Sequence, residues 1–180
     1  MKNKNPTYWI IGAGKFGIKA MKRVSRKHPK AKLELIDQKS HNLKQYENYL
    51  VRFICHEGAS YMANHLENEK APDWIIPAVP NHLAFEWLKR KMGNGSAFDT
   101  IPVPSEIEAM LPNAIRGSEG QLYVSYADFI CPDNCTEPYD RCSYSGKPRK
   151  GLLYKTLQDI SFDTFTSVVI RSHQLAPGVG

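Results

Sequence analysis

One glycine-rich segment constrains the fold of this chain more than any other feature. It follows the apolar residues 8–11 and precedes a stretch with helical spacing. The order of strand, glycine turn and helix is typical of a βαβ unit that binds a dinucleotide. Gly12 permits the tight turn, Gly14 lets a pyrophosphate approach the backbone, and Gly17 lets the helix lie close to the strand. The six residues of this glycine turn are Gly12, Ala13, Gly14, Lys15, Phe16 and Gly17.

An acidic residue stands at the distance that such a unit requires. Asp37 ends the second apolar run, 20 residues after Gly17. An acid in this place accepts hydrogen bonds from the ribose hydroxyls, and its charge would repel a 2′-phosphate. The sequence therefore predicts binding of NAD(H) in preference to NADP(H), with Lys15 placed to pair with a phosphate. The alternative is a unit of the same shape that binds another nucleotide or none.

The first half of the chain alternates strand and helix patterns, which is typical of a parallel sheet with both faces covered. We expect strands at about 7–12, 32–37, 49–55 and 73–80, helices at about 15–27, 59–69 and 81–92, and a short helix or loop over 40–47. Asn81 is the expected N-cap of the third helix. The predicted class is α/β, a Rossmann-like doubly wound parallel sheet with a cysteine-containing C-terminal extension.

The pattern changes after residue 96, and we expect two parts. Residues 1–115 would form the NAD-binding domain, and residues 116–180 an extension packed on the same sheet. Within the second half, we expect a short helix that opens with a capping box at 105–108, a helix at about 152–159, and strands at about 122–130 and 165–171.

Ligands of such sheets lie beyond the carboxyl ends of the strands. Besides the glycine turn, this places residues 55–57 and 79–82 near a bound dinucleotide. We expect Val79, Pro80 and Asn81 to line the nicotinamide half of the cofactor. His82 and His56 are the candidates for a catalytic base, and the alternative is that both serve only the local structure.

Three cysteines lie close together in a turn-rich segment of the second half, Cys131, Cys135 and Cys142. Clustered thiolates suit zinc or an iron–sulfur cluster. The spacing provides no fourth ligand, which would come from Cys55, His56, His173, an acid or an external molecule. Two alternatives stay open, namely free structural cysteines and thiols that are redox-active or form a disulfide.

The net charge of +6 is concentrated near the start of the chain, because residues 1–32 hold ten Lys or Arg and no acid. This basic first helix is either a solvated face or a docking face for an acidic partner. A nucleic-acid partner is disfavoured, since no aromatic residues interleave with the charges. No signal-like or membrane-spanning apolar run is present, so we expect a cytoplasmic protein. Exposed sheet edges favour a homo-oligomer or a protein partner.

The segments 9–17 and 72–76, together with Asp37, resemble the nucleotide-binding domains of bacterial potassium-transport regulators, the TrkA N-terminal or KTN/RCK type. The resemblance extends over about residues 7–92. It implies a Rossmann fold that binds NAD(H) or another adenine nucleotide and acts within an oligomeric regulator.

Two functions are compatible with these features. The first is a small NAD-dependent oxidoreductase in which the cysteines hold a metal or cluster near the nicotinamide. The second is a non-catalytic NAD(H) sensor or accessory subunit of the potassium-transport-regulator type. The sequence leaves open whether the protein is an enzyme, because few residues remain to build a substrate pocket.

Overall fold

A computed structural model of the chain describes residues 5–39, 50–67, 69–93, 99–161 and 165–175. These residues form two compact units, which divide between Phe98 and Asp99. We call residues 5–93 the N-terminal unit and residues 99–175 the C-terminal unit, and each is described by itself. The predicted boundary at residue 115 marks the end of an NAD-binding domain, whereas the two units are defined by compactness alone. That boundary therefore stays a prediction.

The N-terminal unit is an α/β structure around a four-stranded sheet, as the alternating pattern predicts. All three strand pairs are parallel, and the strand order is β3-β2-β1-β4. Its elements in chain order are β1 (Thr7–Ile11), α1 (Lys15–Lys27), β2 (Lys32–Asp37), β3 (Val51–Cys55), α2 (Gly58–His65), β4 (Trp74–Pro77) and α3 (Leu83–Lys91). The expected helix or loop over 40–47 lies outside the described residues.

The sheet forms where the apolar residues are continuous, because its central strands are covered on both faces. Ile10 pairs with Leu35 on one side and with Ile76 on the other, and all three side chains are almost completely buried. On one face, Trp9 and Ile11 pack with residues of α2 and with Leu83 of α3. Since side chains alternate along a strand, Tyr8 and Ile10 point to the opposite face.

The helices of this unit begin and end close to the predicted positions, with two corrections. Helix α2 ends at His65 instead of about residue 69. Asn81 is not an N-cap, because α3 begins at Leu83 and His82 occupies the capping position without a side-chain hydrogen bond. The start of α3 coincides with the point where the Leu83 side chain enters the apolar cluster. Pro77, which lacks a backbone donor, is the last residue of β4.

The C-terminal unit contains less regular structure than predicted. Its elements are α4 (Ser105–Met110), β5 (Ile115–Arg116), β6 (Leu122–Tyr123) and α5 (Leu153–Gln158), and β5 pairs with β6 in a separate antiparallel sheet. Helix α5 was predicted, whereas β5 was not. The expected capping box of α4 is wrong, because Pro104 occupies the N-cap position and no side chain caps the helix.

Both long strands predicted in this unit are wrong. The strand expected over 122–130 ends at Tyr123, since the Ser125 hydroxyl accepts a hydrogen bond from the Ala127 N–H and favours a turn. The segment 166–171 is irregular. Its side chains contact α5 instead of a neighbouring strand: Arg171 lies 4.4 Å from the ring centroid of Tyr154, and Ser167 donates to the Leu157 carbonyl.

Polar contacts hold the C-terminal unit together. The Arg116 guanidinium donates to the Glu108 carboxylate at 2.7 Å and to the Val103 and Gly120 carbonyl oxygens at 2.8 and 3.1 Å. This one side chain therefore links α4, β5 and the turn before β6. None of the described residues from 99 to 175 is buried, whereas every buried hydrophobic residue of the described chain lies between Tyr8 and Leu83.

Candidate functional site

The glycine turn lies at the carboxyl edge of the parallel sheet, between the ends of three strands. The Gly12 N–H donates to the Ile36 carbonyl of β2 at 2.7 Å, and the Ala78 N–H donates to the Ile11 carbonyl of β1 at 2.8 Å. Gly12 adopts a φ of 103°, a left-handed conformation that favours glycine. The turn between β1 and α1 is thus fixed by backbone bonds to β2 and to the residue that follows β4.

Space around the glycines shows which of them the fold requires. A Cβ atom on Gly12 would lie 2.6 Å from the Ala78 carbonyl oxygen, and one on Gly17 would lie 1.8 Å from the Gly12 carbonyl oxygen. A Cβ atom on Gly14 would meet no atom within 4 Å among the described residues, and the Gly14 φ of −70° suits any residue. Gly12 and Gly17 therefore serve the backbone packing, whereas the packing of the described residues does not explain the glycine at position 14.

The start of α1 faces the same edge of the sheet. Gly14 occupies its N-cap position without a side-chain hydrogen bond, and the first turn carries no acidic residue. Lys15 and Phe16 are exposed there, with the Lys15 ammonium 5.8 Å from the Phe16 ring centroid. A helix start attracts anions through its N–H groups and its dipole.

Asp37 at the end of β2 holds the glycine turn directly. One carboxylate oxygen accepts a hydrogen bond from the Ala13 N–H at 2.7 Å, and the other accepts one from the Lys39 N–H at 2.8 Å. These bonds fix the orientation of the carboxylate beside the turn.

The segment after β4 contributes one neighbour of the glycine turn. A Cβ atom on Gly12 would lie 3.0 Å from Cγ1 of Val79, so Val79 lies against the turn. Pro80, Asn81 and His82 are exposed. The sequence-predicted residues Gly12 and Val79 are therefore brought together, while contacts of the other three with a nucleotide stay predictions.

The end of β3 holds a polar cluster that sequence reasoning only partly identified. The His56 Nδ1–H donates to the Glu57 carbonyl oxygen at 2.9 Å, and its ring meets the Tyr61 ring edge-on at 5.9 Å. These contacts favour a local structural role for His56. Glu57 caps α2 by accepting hydrogen bonds from the Ala59 and Ser60 N–H groups.

Arg90 of α3 completes this cluster and was not predicted. Its guanidinium lies 3.1 Å from the Glu57 carboxylate and donates to the Ser60 hydroxyl at 3.0 Å. It also donates to the Glu86 carboxylate one helical turn earlier. Burial alone would raise the pKa of Glu57, but the hydrogen bonds from Ser60 and Ala59 and the charge of Arg90 together lower it. The spacing of Glu86 and Arg90 was the one available sequence signal.

The cysteine loop, residues 131–150, is folded by short-range backbone bonds. The Cys135 N–H donates to the Pro132 carbonyl at 3.0 Å, and the Cys142 N–H donates to the Lys147 carbonyl at 2.9 Å. Two sulfurs accept backbone hydrogen bonds at 3.4 Å, Cys135 from Glu137 and Cys142 from Ser145.

The thiols of this loop differ in their acidity. Burial and then the charges of Cys135 and Cys142 raise the pKa of Cys131. Hydrogen bonds from Ser145 and Tyr144 lower the pKa of Cys142. The three thiols are thus electrostatic neighbours. Over the part of the chain that the structure describes, however, no three His, Cys, Asp or Glu side chains are gathered closely enough to hold a metal ion.

A family model described as "Uncharacterized protein, C-terminal domain" (AF_1314_C) matches residues 84–180. This is more than half of the chain, so the chain belongs to that family. The match covers most of α3 and the whole C-terminal unit, and it leaves the glycine turn outside. No curated protein and no solved structure matches the chain significantly. Within the described residues, no helix is both long and apolar enough to cross a membrane.

Proposed function

We propose that this chain binds NAD(H) at the glycine turn of a Rossmann-type unit. The observation that carries the proposal is the open space at Gly14, at the N-terminus of α1 and beside the Asp37 carboxylate. A glycine that its packing does not explain is accounted for by a pyrophosphate that approaches its backbone. The strand order 3-2-1-4 supports the proposal, because a Rossmann sheet binds its ligand at the carboxyl ends of the strands where the strand order reverses, which here is between β1 and β4.

Asp37 supports NAD(H) over NADP(H). Its carboxylate is oriented by two backbone N–H groups beside the glycine turn, where the acid of such a unit accepts hydrogen bonds from the ribose hydroxyls. A 2′-phosphate at the same position would bring like charges together. The preference rests on this charge and not on the shape of the turn.

The test compares binding of both cofactors by calorimetry. Gly14→Val should weaken NAD(H) binding more than about tenfold, or about 1.4 kcal/mol, because its side chain occupies the place of the pyrophosphate. Its melting temperature should stay near that of the wild type. Ala71→Val, at an exposed position three residues before β4, is the matched control and should bind normally. Wild-type protein that binds neither cofactor would refute the proposal.

Asp37→Asn removes the charge and keeps an amide oxygen that can accept the hydrogen bond from the Ala13 N–H, at the expense of the bond from the Lys39 N–H. The variant should lose most of the preference for NAD(H) over NADP(H). Equal affinity of the wild type for the two cofactors would show that Asp37 does not select between them.

A regulatory role is the form of this function that the site supports best, in keeping with the resemblance to potassium-transport regulators. The ring contacts of His56 favour a structural role over that of a general base. An NAD-dependent oxidoreductase is the second candidate, favoured by the lowered pKa of the Cys142 thiol. Oxidation of NADH in the presence of a disulfide substrate would support the oxidoreductase. Binding of NAD(H) without turnover would support the regulatory role.

We further propose a homo-oligomer or a protein partner. Phe85, Leu88 and Met92 follow each other at helical spacing on and just after α3, and all three are exposed. Such a stripe is covered in many assemblies. Light scattering at micromolar concentration should show a species larger than the 20.4 kDa chain.

A further inference from the structure

The C-terminal unit lacks the usual means of holding its fold. None of its described residues is buried, although side chains such as Ile130 and Val168 are apolar and 97% and 82% exposed. Domains that cannot bury enough apolar surface are stabilised by disulfides, a structural metal or association. The four cysteines of the chain are free, so no disulfide serves this purpose.

Three of the four cysteines lie in the cysteine loop of this unit. The sulfurs of Cys135 and Cys142 each accept a backbone N–H hydrogen bond from a residue two or three positions later. Hydrogen bonds of this kind orient thiolates and stabilise their charge, and they commonly accompany sulfur ligands of metals. The loop backbone thus supplies an N–H donor to two of its three sulfurs.

We propose that Cys131, Cys135 and Cys142 together bind one thiophilic metal centre, either Zn²⁺ or an iron–sulfur cluster. The fourth ligand, which we place outside the N-terminal unit and therefore not at Cys55, is unassigned. On binding, each thiol releases its proton and the cation compensates the repulsion between the three thiolates. This proposal is independent of NAD(H) binding, since it concerns the other unit.

The sulfurs must move closer together when the metal binds, because the described side chains form no preassembled metal-binding group. The loop can move at low cost, since none of its residues is buried, its backbone–backbone bonds are short-range, and the bond that the Gln174 amide donates to the Cys135 carbonyl at 2.9 Å is exposed. The expected result of binding is an ordered loop, and its expected benefit is stability of a unit without a core.

The first experiment measures metal and acid-labile sulfide in the full chain purified without oxygen. About one Zn²⁺ per chain without visible absorption would assign zinc, and iron with sulfide and visible absorption would assign a cluster. Either result supports the site. Protein that contains no stoichiometric metal, fails to bind added Zn²⁺ and shows freely titratable thiols overturns it.

The second experiment compares Cys135→Ser with Cys55→Ser, so that each variant keeps three cysteines. Cys55 ends β3 in the N-terminal unit. Cys135→Ser should lower the metal content at least about tenfold and speed hydrogen exchange over residues 131–150. Cys55→Ser should retain both properties, and loss of metal in both variants would contradict a site confined to the loop. If Cys135→Ser loses the metal but binds NAD(H) with the affinity of the wild type, the two sites are independent. The failure of one proposal would then leave the other standing.

Discussion

The two units of this protein differ in how their side chains are buried. In the N-terminal unit, Ile10, Leu35 and Ile76 form a continuous buried layer across three strands. In the C-terminal unit, Arg116 and backbone groups make polar contacts among residues that are half-buried or exposed. Hydrophobic burial accounts for the first fold, whereas the second needs a further source of stability, such as a metal or an association.

The largest expected effect tests this contrast directly. Leu35→Ala removes a side chain that is 1% exposed from the centre of the sheet, so it should lower the free energy of unfolding by about 2–5 kcal/mol. The matched variant Ile130→Ala removes an almost fully exposed side chain and should change that free energy by less than about 0.5 kcal/mol. Urea denaturation of both variants measures the difference. A large loss in Ile130→Ala would show that this side chain is covered in solution, for example by a second copy.

A smaller effect is expected from the polar contacts of the C-terminal unit. Arg116→Ala removes the donor to the Glu108 carboxylate and to the Val103 carbonyl oxygen, whereas the Gly120 carbonyl oxygen keeps its bond from the Val103 N–H; the change should cost about 1–3 kcal/mol. Hydrogen exchange should locate this loss between residues 99 and 125. Arg52→Ala, which removes an exposed ion pair with Glu34, is the control and should cost less than about 1 kcal/mol. Equal effects of the two would mean that the Arg116 contacts do not organise the unit.

The smallest expected effect concerns pH and the N-terminal unit. The pKa of Glu57 is lowered in the folded chain, so its contribution to stability is complete above the pKa of the unfolded state and is lost as pH falls through the folded-state value. Glu57→Gln should therefore destabilise the protein near neutral pH by about 0.5–2 kcal/mol, and less at pH values below the folded-state pKa. Chemical denaturation across the acidic range measures this. If Glu57→Gln lowered the free energy of unfolding equally at every pH, the loss would come from the altered capping geometry and not from the charge.

The same contrast explains how far the sequence could predict the structure. The bounds of α1 and β2 agree with the predictions residue for residue. Their apolar residues are buried, so a periodic pattern in the sequence corresponds to a face in the structure. The strands expected at 122–130 and 165–171 rest on apolar residues that find no buried face, and local side-chain bonds determine the backbone instead.

The candidate site shows the same limit. The sequence placed Asp37 near the glycine turn, because both lie at the carboxyl ends of adjacent parallel strands, and the bond from Ala13 agrees. It could not place Arg90 beside Glu57, since that contact depends on how α2 and α3 pack together. Occupancy of the turn by NAD(H) and of the cysteine loop by a metal stay predictions.

The edge-on contact between Trp9 and Tyr61 has an optical consequence. The two ring centroids lie 5.1 Å apart in the buried cluster, and the other tryptophans, Trp74 and Trp87, belong to the same unit. All three indole emitters therefore belong to the N-terminal unit, and their emission follows the unfolding of its sheet. The cysteine loop carries no tryptophan, so its order has to be followed by another probe, such as hydrogen exchange.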